Sequence, residues 1–188
     1  MRWDETSTQT CSIAKSTSIF GDRWTLLILR QILMRIGKFS DIQQALGITK
    51  HRLTDRLNRL IEDKVIYKHL YDKTYNRYEY RLTEKGTDLY QIFIAIGQWG
   101  DKWESDSDGP PIEYIHNDCG HVANPALCCT CCGEKLTASN ISLGIGPGLE
   151  KKLERNELSD LDKKLYRQFF PDLDPSNLKK PRKQKKAK

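Results

Sequence analysis

The chain has 188 residues, of which 38% are hydrophobic and 30% charged, too polar for one large core and suited to an ordinary domain with smaller appendages. Its formal charge of +6 is uneven: residues 179–188 hold seven basic residues and no acid, so residues 1–178 are close to neutral. The longest mostly apolar run, residues 26–34, is short and broken by Arg30 and Gln31, which excludes a spanning helix, and with no visible signal peptide the six cysteines are expected to be reduced thiols, metal ligands or redox sensors, not structural disulfides, in a cytoplasmic, non-membrane protein.

Residues 1–10 read as a flexible terminus. A short helix over 11–20 carries Ile13 and Ile19, and after Gly21 a second helix over 24–34 is apolar nearly all round, as a buried central helix would be. Between residues 38 and 64 the pattern changes to two short helices joined by a tight turn. Ser40 and Gln43 have the spacing of a capping box, Ile42 and Leu46 share a face, Gly47 is placed to stop the helix, and Thr49 can cap the next. Leu53, Leu57 and Leu60 form the inner stripe of that second helix, leaving Lys50, His51, Arg52, Asp55, Arg56 and Arg59 on its other faces. This is a helix-turn-helix pattern with a basic front suited to the major groove of B-DNA. Over residues 30–60, seven lysines and arginines face only Asp41 and Asp55, so the charge that attracts phosphate is concentrated there.

A hairpin follows. Residues 65–71 are β-branched and aromatic, 72–76 form a polar turn, and 78–82 alternate. Helix-turn-helix plus hairpin predicts a winged helix whose wing tip carries Lys73 and Arg77 toward phosphates or the minor groove. The expected DNA-contacting set is Lys38, Ser40, Thr49, Lys50, His51, Arg52, Asp55, Arg56, Arg59, Lys73 and Arg77. Thr83 can cap a long helix to about Trp103, whose apolar side (Leu89, Ile92, Phe93, Ile96, Trp99, Trp103) exceeds what a small winged domain covers and predicts a two-fold dimer seam.

Four successive motifs, Cys11-Ser12-Ile13-Ala14, Gly21-Asp22-Arg23-Trp24-Thr25-Leu26-Leu27-Ile28-Leu29, Lys38-Phe39-Ser40-Asp41-Ile42 and Tyr80-Arg81-Leu82-Thr83-Glu84-Lys85-Gly86, resemble the landmarks of HxlR-type winged-helix regulators. The resemblance covers residues 11–103 and implies a homodimeric, sequence-specific transcription regulator acting on a pseudo-palindromic operator, responsive in some members to an oxidant or small-molecule signal. In such members a cysteine followed by proline begins this region; Cys11 matches as a redox candidate, while Ser12 replaces the proline.

The acidic then proline-rich stretch 105–111 reads as a linker closing a domain over 11–104. Beyond it, residues 112–142 hold His116-x-x-Cys119-Gly and Cys129-x-x-Cys132-Gly. Two residues between donors let both reach one ion, and one imidazole with three thiolates suits tetrahedral zinc. Cys128-x-x-Cys131 is an equally spaced alternative, but the Cys-Gly symmetry favours His116, Cys119, Cys129 and Cys132 as a structural zinc site, one ion per subunit, with His121 in reserve. Many HxlR-type proteins resemble this chain here as well. A segment this short lacks the core to fold without such a staple.

Residues 143–178 read as a glycine-rich linker and a sparsely apolar helical segment, and 179–188 as a basic disordered tail. The fold class expected is α+β: a winged helix-turn-helix domain, a small C-terminal zinc-ribbon-like β unit and the tail. A winged-helix protein-interaction module and a thiol redox protein are the competing readings. An enzyme is not expected, because the four histidines are scattered and no nucleophile sits in an elbow or glycine-rich loop.

Overall fold

The computed structural model describes residues 8–171, so the basic tail lies outside the described residues. The chain divides into two compact units, one of residues 19–136 and one that joins residues 8–18 to residues 137–171. Helices α1 (Ser12–Phe20), α2 (Arg23–Leu33), α3 (Phe39–Leu46) and α4 (Lys50–Glu62) lead into the hairpin β1 (Ile66–Asp72) and β2 (Arg77–Leu82). Helices α5 (Glu84–Thr87) and α6 (Leu89–Trp103) follow. This is a winged helix-turn-helix.

The core of the larger unit joins Ile28, Leu29 and Ile32 of α2 to Ile42 of α3, the Leu53, Leu57 and Leu60 stripe of α4, and Val65 and Ile66 at the entry to the wing. The expected stripes therefore meet: helical periodicity aligns each, and burying all of them together is what the hydrophobic effect rewards. Gly47 stops α3 at φ 61°, the left-handed conformation, and its N–H returns to Gln43 O at 2.9 Å. Thr49 then caps α4 by accepting from Arg52 N.

Two expectations need correction. The Ser40/Gln43 capping box does not form: the N-cap position is Lys38, with no side-chain cap, and the Ser40 hydroxyl donates to Asp41 at 2.8 Å. The reason is tertiary. Tyr80 N–H donates to Gly37 O at 2.7 Å and Lys38 bridges Glu79, so the segment before α3 is bound to β2 and enters the helix early; a Cβ on Gly37 would overlap the Tyr80 carbonyl. Likewise the single helix expected from Thr83 to Trp103 is two. Thr83 caps α5 and its hydroxyl donates to Lys64 O at 2.7 Å, pinning that turn to the end of α4, and α6 starts afresh after Asp88.

In the wing, Ile66 pairs with Leu82, Lys68 with Tyr80 and Leu70 with Tyr78, with an irregularity before Asp72 pairs with Arg77. Asp72 Oδ1 accepts from Thr74 and Tyr75 N–H at the tip, an Asx turn that fixes the loop.

In the smaller unit the helical segment forms α7 (Pro147–Glu154) and α8 (Asp160–Phe169), and its apolar residues pack on one another: Leu149, Leu153 and Leu158 with Ile145, Tyr166 and Phe170. Asp162, 2% exposed, accepts from Thr10 N–H (3.0 Å), the Thr10 hydroxyl (3.1 Å) and the Ser159 hydroxyl (2.9 Å), while Lys152 donates to Thr10 Oγ1 at 3.1 Å. The segment before α1 is thus clasped by the C-terminal helices. Among the described residues no helix is long and apolar enough to cross a membrane.

Candidate nucleic-acid interface

The three leucines that anchor α4 are at most 1% exposed, which turns its opposite face outward. Lys50, His51, Arg52, Thr54, Asn58 and Arg59 are exposed on that face, and Asp55 and Arg56 are half-buried. Thr54 and Asn58 escape a reading that follows charge alone; their spacing of four and eight residues from Lys50, which puts all three along one side of the helix, is the signal that finds them. Lys38 and Ser40 are exposed at the start of α3, the Lys38 ammonium standing 5.1 Å from the centre of the Tyr71 ring. Thr49 is spent on its cap. At the wing tip Lys73 and Arg77 are exposed, with the Arg77 guanidinium 5.2 Å over Tyr75.

The charges on α4 are not equivalent. Arg56 Nε lies 3.2 Å from Asp22 Oδ1 and its Nη1 2.6 Å from Asp55 Oδ2, whereas Arg59 reaches Asp55 at 3.5 Å from a more exposed position. Among the described residues Arg52 has no carboxylate partner within 4.0 Å. Asp22 is also the N-cap of α2, accepting from Trp24 and Thr25 N–H and from the Thr25 hydroxyl. Burial raises its carboxyl pKa, but the Thr25 bonds and the Arg56 guanidinium outweigh that and hold it below the ordinary value. An open cleft of about 540 Å³ lies here, lined by Asp22, Arg23, Trp24, His51, Arg52, Asp55 and Arg56.

On α6, Ile92, Ile96, Trp99 and Trp103 are 41–63% exposed. Ile92, Ala95, Ile96 and Trp99 line an open apolar groove of about 420 Å³ to which Leu127 of the cysteine-rich segment contributes. That segment docks on the same helix: Gln98 donates to Asn124 Oδ1 and Pro125 O, and the Tyr114 hydroxyl occupies the space where a Cβ of residue 97 would stand.

The cysteine-rich segment contains the same small hairpin twice, thirteen residues apart. In the first, His116 N donates to His121 O, Gly120 N to His116 O and Ala123 N to Tyr114 O. In the second, Cys129 N donates to Glu134 O, Gly133 N to Cys129 O and Leu136 N to Leu127 O. Gly120 (φ 70°) and Gly133 (φ 73°) take the left-handed conformation, so Cys129 and Cys132 occupy the places of His116 and Cys119. Each turn suits a metal donor pair: His116 Nδ1 is 3.2 Å from Cys119 Sγ, and the N–H groups of Cys132 and Cys131 push the Cys129 thiol below its ordinary pKa. The two turns do not converge: among the described residues no three His, Cys, Asp or Glu side chains gather at one point. Only one bridge, Ile115 with Val122 or Cys128 with Lys135, forms in each hairpin. Cys11, half-buried, belongs to the smaller unit, where after burial itself it and Asp162 raise the Tyr166 pKa.

Residues 19–108 match the HxlR-like helix-turn-helix family. Over 142 residues the chain is 40% identical to an HTH-type transcriptional regulator of Mycobacterium tuberculosis, covering 76% of this chain and 90% of that protein. It is 34% identical over 90 residues to the HTH-type transcriptional regulator YvaP of Bacillus subtilis, 47% of this chain and 83% of that one. Among solved structures it is similar to PA1607, a proposed transcription factor (TM-score 0.68, 26% identity, 76% of this chain and 99% of that chain). It is also similar to PA1374 of Pseudomonas aeruginosa (TM-score 0.51, 26% identity, 73% and 93%).

Proposed function

The chain belongs to the HxlR-like helix-turn-helix family, and on that premise we propose that it is a cytoplasmic transcriptional regulator, not an enzyme, that binds double-stranded DNA as a homodimer. The observation that carries this is the α4 helix: an exposed basic and amide-bearing face on a back of buried leucines, followed at once by the wing. An α-helix so presented enters the major groove, where an arginine can bind guanine O6 and N7 bidentately. We assign that role to Arg52, which is exposed on α4, with Thr54 and Asn58 as further base-edge candidates. Lys38, Lys50, Lys73 and Arg77 supply phosphate contacts that fix register without reading sequence.

The dimer reading is supported by α6, whose tryptophans and isoleucines leave an exposed apolar face of the kind that pairs across a two-fold axis. Two linked recognition helices then meet half-sites about one helical turn apart on a pseudo-palindromic operator. Selection of duplexes from a randomised library tests the reading. An enriched inverted repeat, bound with a steep inverse dependence on salt, supports it; no enrichment overturns it.

We further propose that His116, Cys119, Cys129 and Cys132 hold one structural zinc per subunit. The donor set and the two matched turns support this register. Zinc would supply a staple that draws the two turns together, and the residues themselves provide the tight turns and the amides that favour thiolate. Metal analysis of protein prepared without chelator tests it, and a metal-free protein would overturn it. Sensing of an oxidant through Cys11 is a regulatory proposal tested by whether oxidant alters DNA binding in wild type but not in Cys11→Ser.

A further inference from the structure

We propose that Asp22 is a specificity-determining residue that acts through Arg56, withholding one of the positive charges of the recognition helix from the DNA backbone. The inference rests on the DNA-binding reading and deepens it. Arg56 lies one turn after Arg52 on α4, and sequence alone makes the two equivalent. The structure separates them: Arg56 is held between two carboxylates, Asp22 at 3.2 Å and Asp55 at 2.6 Å, and only 27% of its side chain is exposed, against 61% for Arg59. Asp22 cannot easily follow it outward, since two backbone amides and the Thr25 hydroxyl fix the carboxylate at the start of α2.

A guanidinium paired in this way makes a poor phosphate ligand, because reaching a phosphate means breaking charge-assisted bonds already formed. Its neutralisation lowers the sequence-independent share of the affinity, which is set by the number of phosphates contacted. Base contacts from Arg52, which no carboxylate of the described residues holds, are untouched. The net effect is a larger ratio of operator to non-operator binding. The adjoining cleft leaves room for a released Arg56 to turn outward.

Asp55 also pairs with Arg56, but its side chain is 40% exposed against 25% for Asp22, so that pair is the more solvent-screened and Asp22 is the anchoring partner. Asp22→Asn removes the anchoring charge while asparagine still caps the helix. The probes are a duplex selected from a randomised library and a scrambled duplex of the same composition, each titrated over a range of salt. For Asp22→Asn, affinity for the scrambled duplex should rise severalfold, the salt slope should steepen by about one for each protomer, and discrimination should fall. In Asp22→Asn/Arg56→Gln the steepening should vanish. An unchanged slope in the single variant, or a steepening that survives in the double, overturns the proposal. Should Asp22→Asn fail to fold, Arg56→Gln alone decides: the scrambled-duplex slope stays at the wild-type value if Arg56 is withheld, and a slope shallower by about one for each protomer overturns the idea. Wild-type protein that binds neither duplex overturns the regulator reading itself and this inference with it.

Discussion

Arg52 and Lys73 are both exposed cations, yet their loss should read differently. Arg52→Ala should weaken operator binding by about 1–3 kcal/mol and relax preference at one base position, with thermal stability nearly unchanged, because the side chain packs on nothing in the core. Lys73→Ala or Arg77→Ala should lower affinity on all sequences alike and flatten the salt slope; a shift in base preference would contradict the assignment. Asp22 adds a pH dependence. Its carboxyl is held below the ordinary value in the folded protein, so its contribution to stability is fully present above the ordinary carboxylate range and is lost as pH falls through the lowered one. The difference in stability between wild type and Asp22→Asn should therefore shrink in strong acid, as measured by denaturant unfolding across pH. A gap that persists there would show that the group acts by packing and not by charge. Among the residue-scale expectations, the Thr49 cap and the Gly47 stop were legible because they depend only on neighbours in the chain. Ser40 does not cap α3, because the start of that helix is decided by the bond from Tyr80 N–H to Gly37 O, distant in sequence.

At the scale of elements, α6 leaves Ile92, Ile96, Trp99 and Trp103 exposed, and the proposed dimer seam lies there. Ile96→Asp, or Trp99→Asp, should yield monomers that bind DNA weakly, since each places a charge in an apolar groove. Sedimentation showing that the wild type is already monomeric at micromolar concentration would refute the seam. The twin hairpins make a second element-scale prediction. Cys129→Ser or Cys132→Ser should abolish metal binding, whereas Cys128→Ser and Cys131→Ser should be tolerated, because residues 128 and 131 correspond to Ile115 and Asp118 in the first hairpin. Metal content of the four variants checks it, and dependence on 128 and 131 instead would place the register one residue earlier. The repeat was visible as a pair of Cys-Gly turns; that its second copy lends Leu127 to the α6 groove was not, since nothing in a short β-turn announces what its flanking leucine will touch.

For the whole molecule, the consequential feature is that residues from the two ends of the described chain share one unit. Asp162 is the centre of that clasp. Asp162→Ala would leave Thr10 and Ser159 without their acceptor and should destabilise the smaller unit by about 1–3 kcal/mol. Amide exchange at residues 8–11 should quicken with it, and unchanged exchange there would show that the apolar cluster alone holds the segment.

Periodicity, caps and turn chemistry are local, and they determined by themselves the helix-turn-helix, the wing, the buried stripes and the exposed basic face. The family resemblance added order to motifs that are weak singly. What the tertiary structure alone decided are pairings between residues far apart in the chain: Gly37 with Tyr80, Asp22 with Arg56, Thr10 with Asp162, and the segment around Tyr114 and Pro125 with α6. Such contacts depend on how complete elements pack, and packing is a property of shape and buried area that no window of sequence contains. That is why sequence showed the charges of α4, and only the fold distinguished Arg56, held between two carboxylates, from the other arginines of that helix.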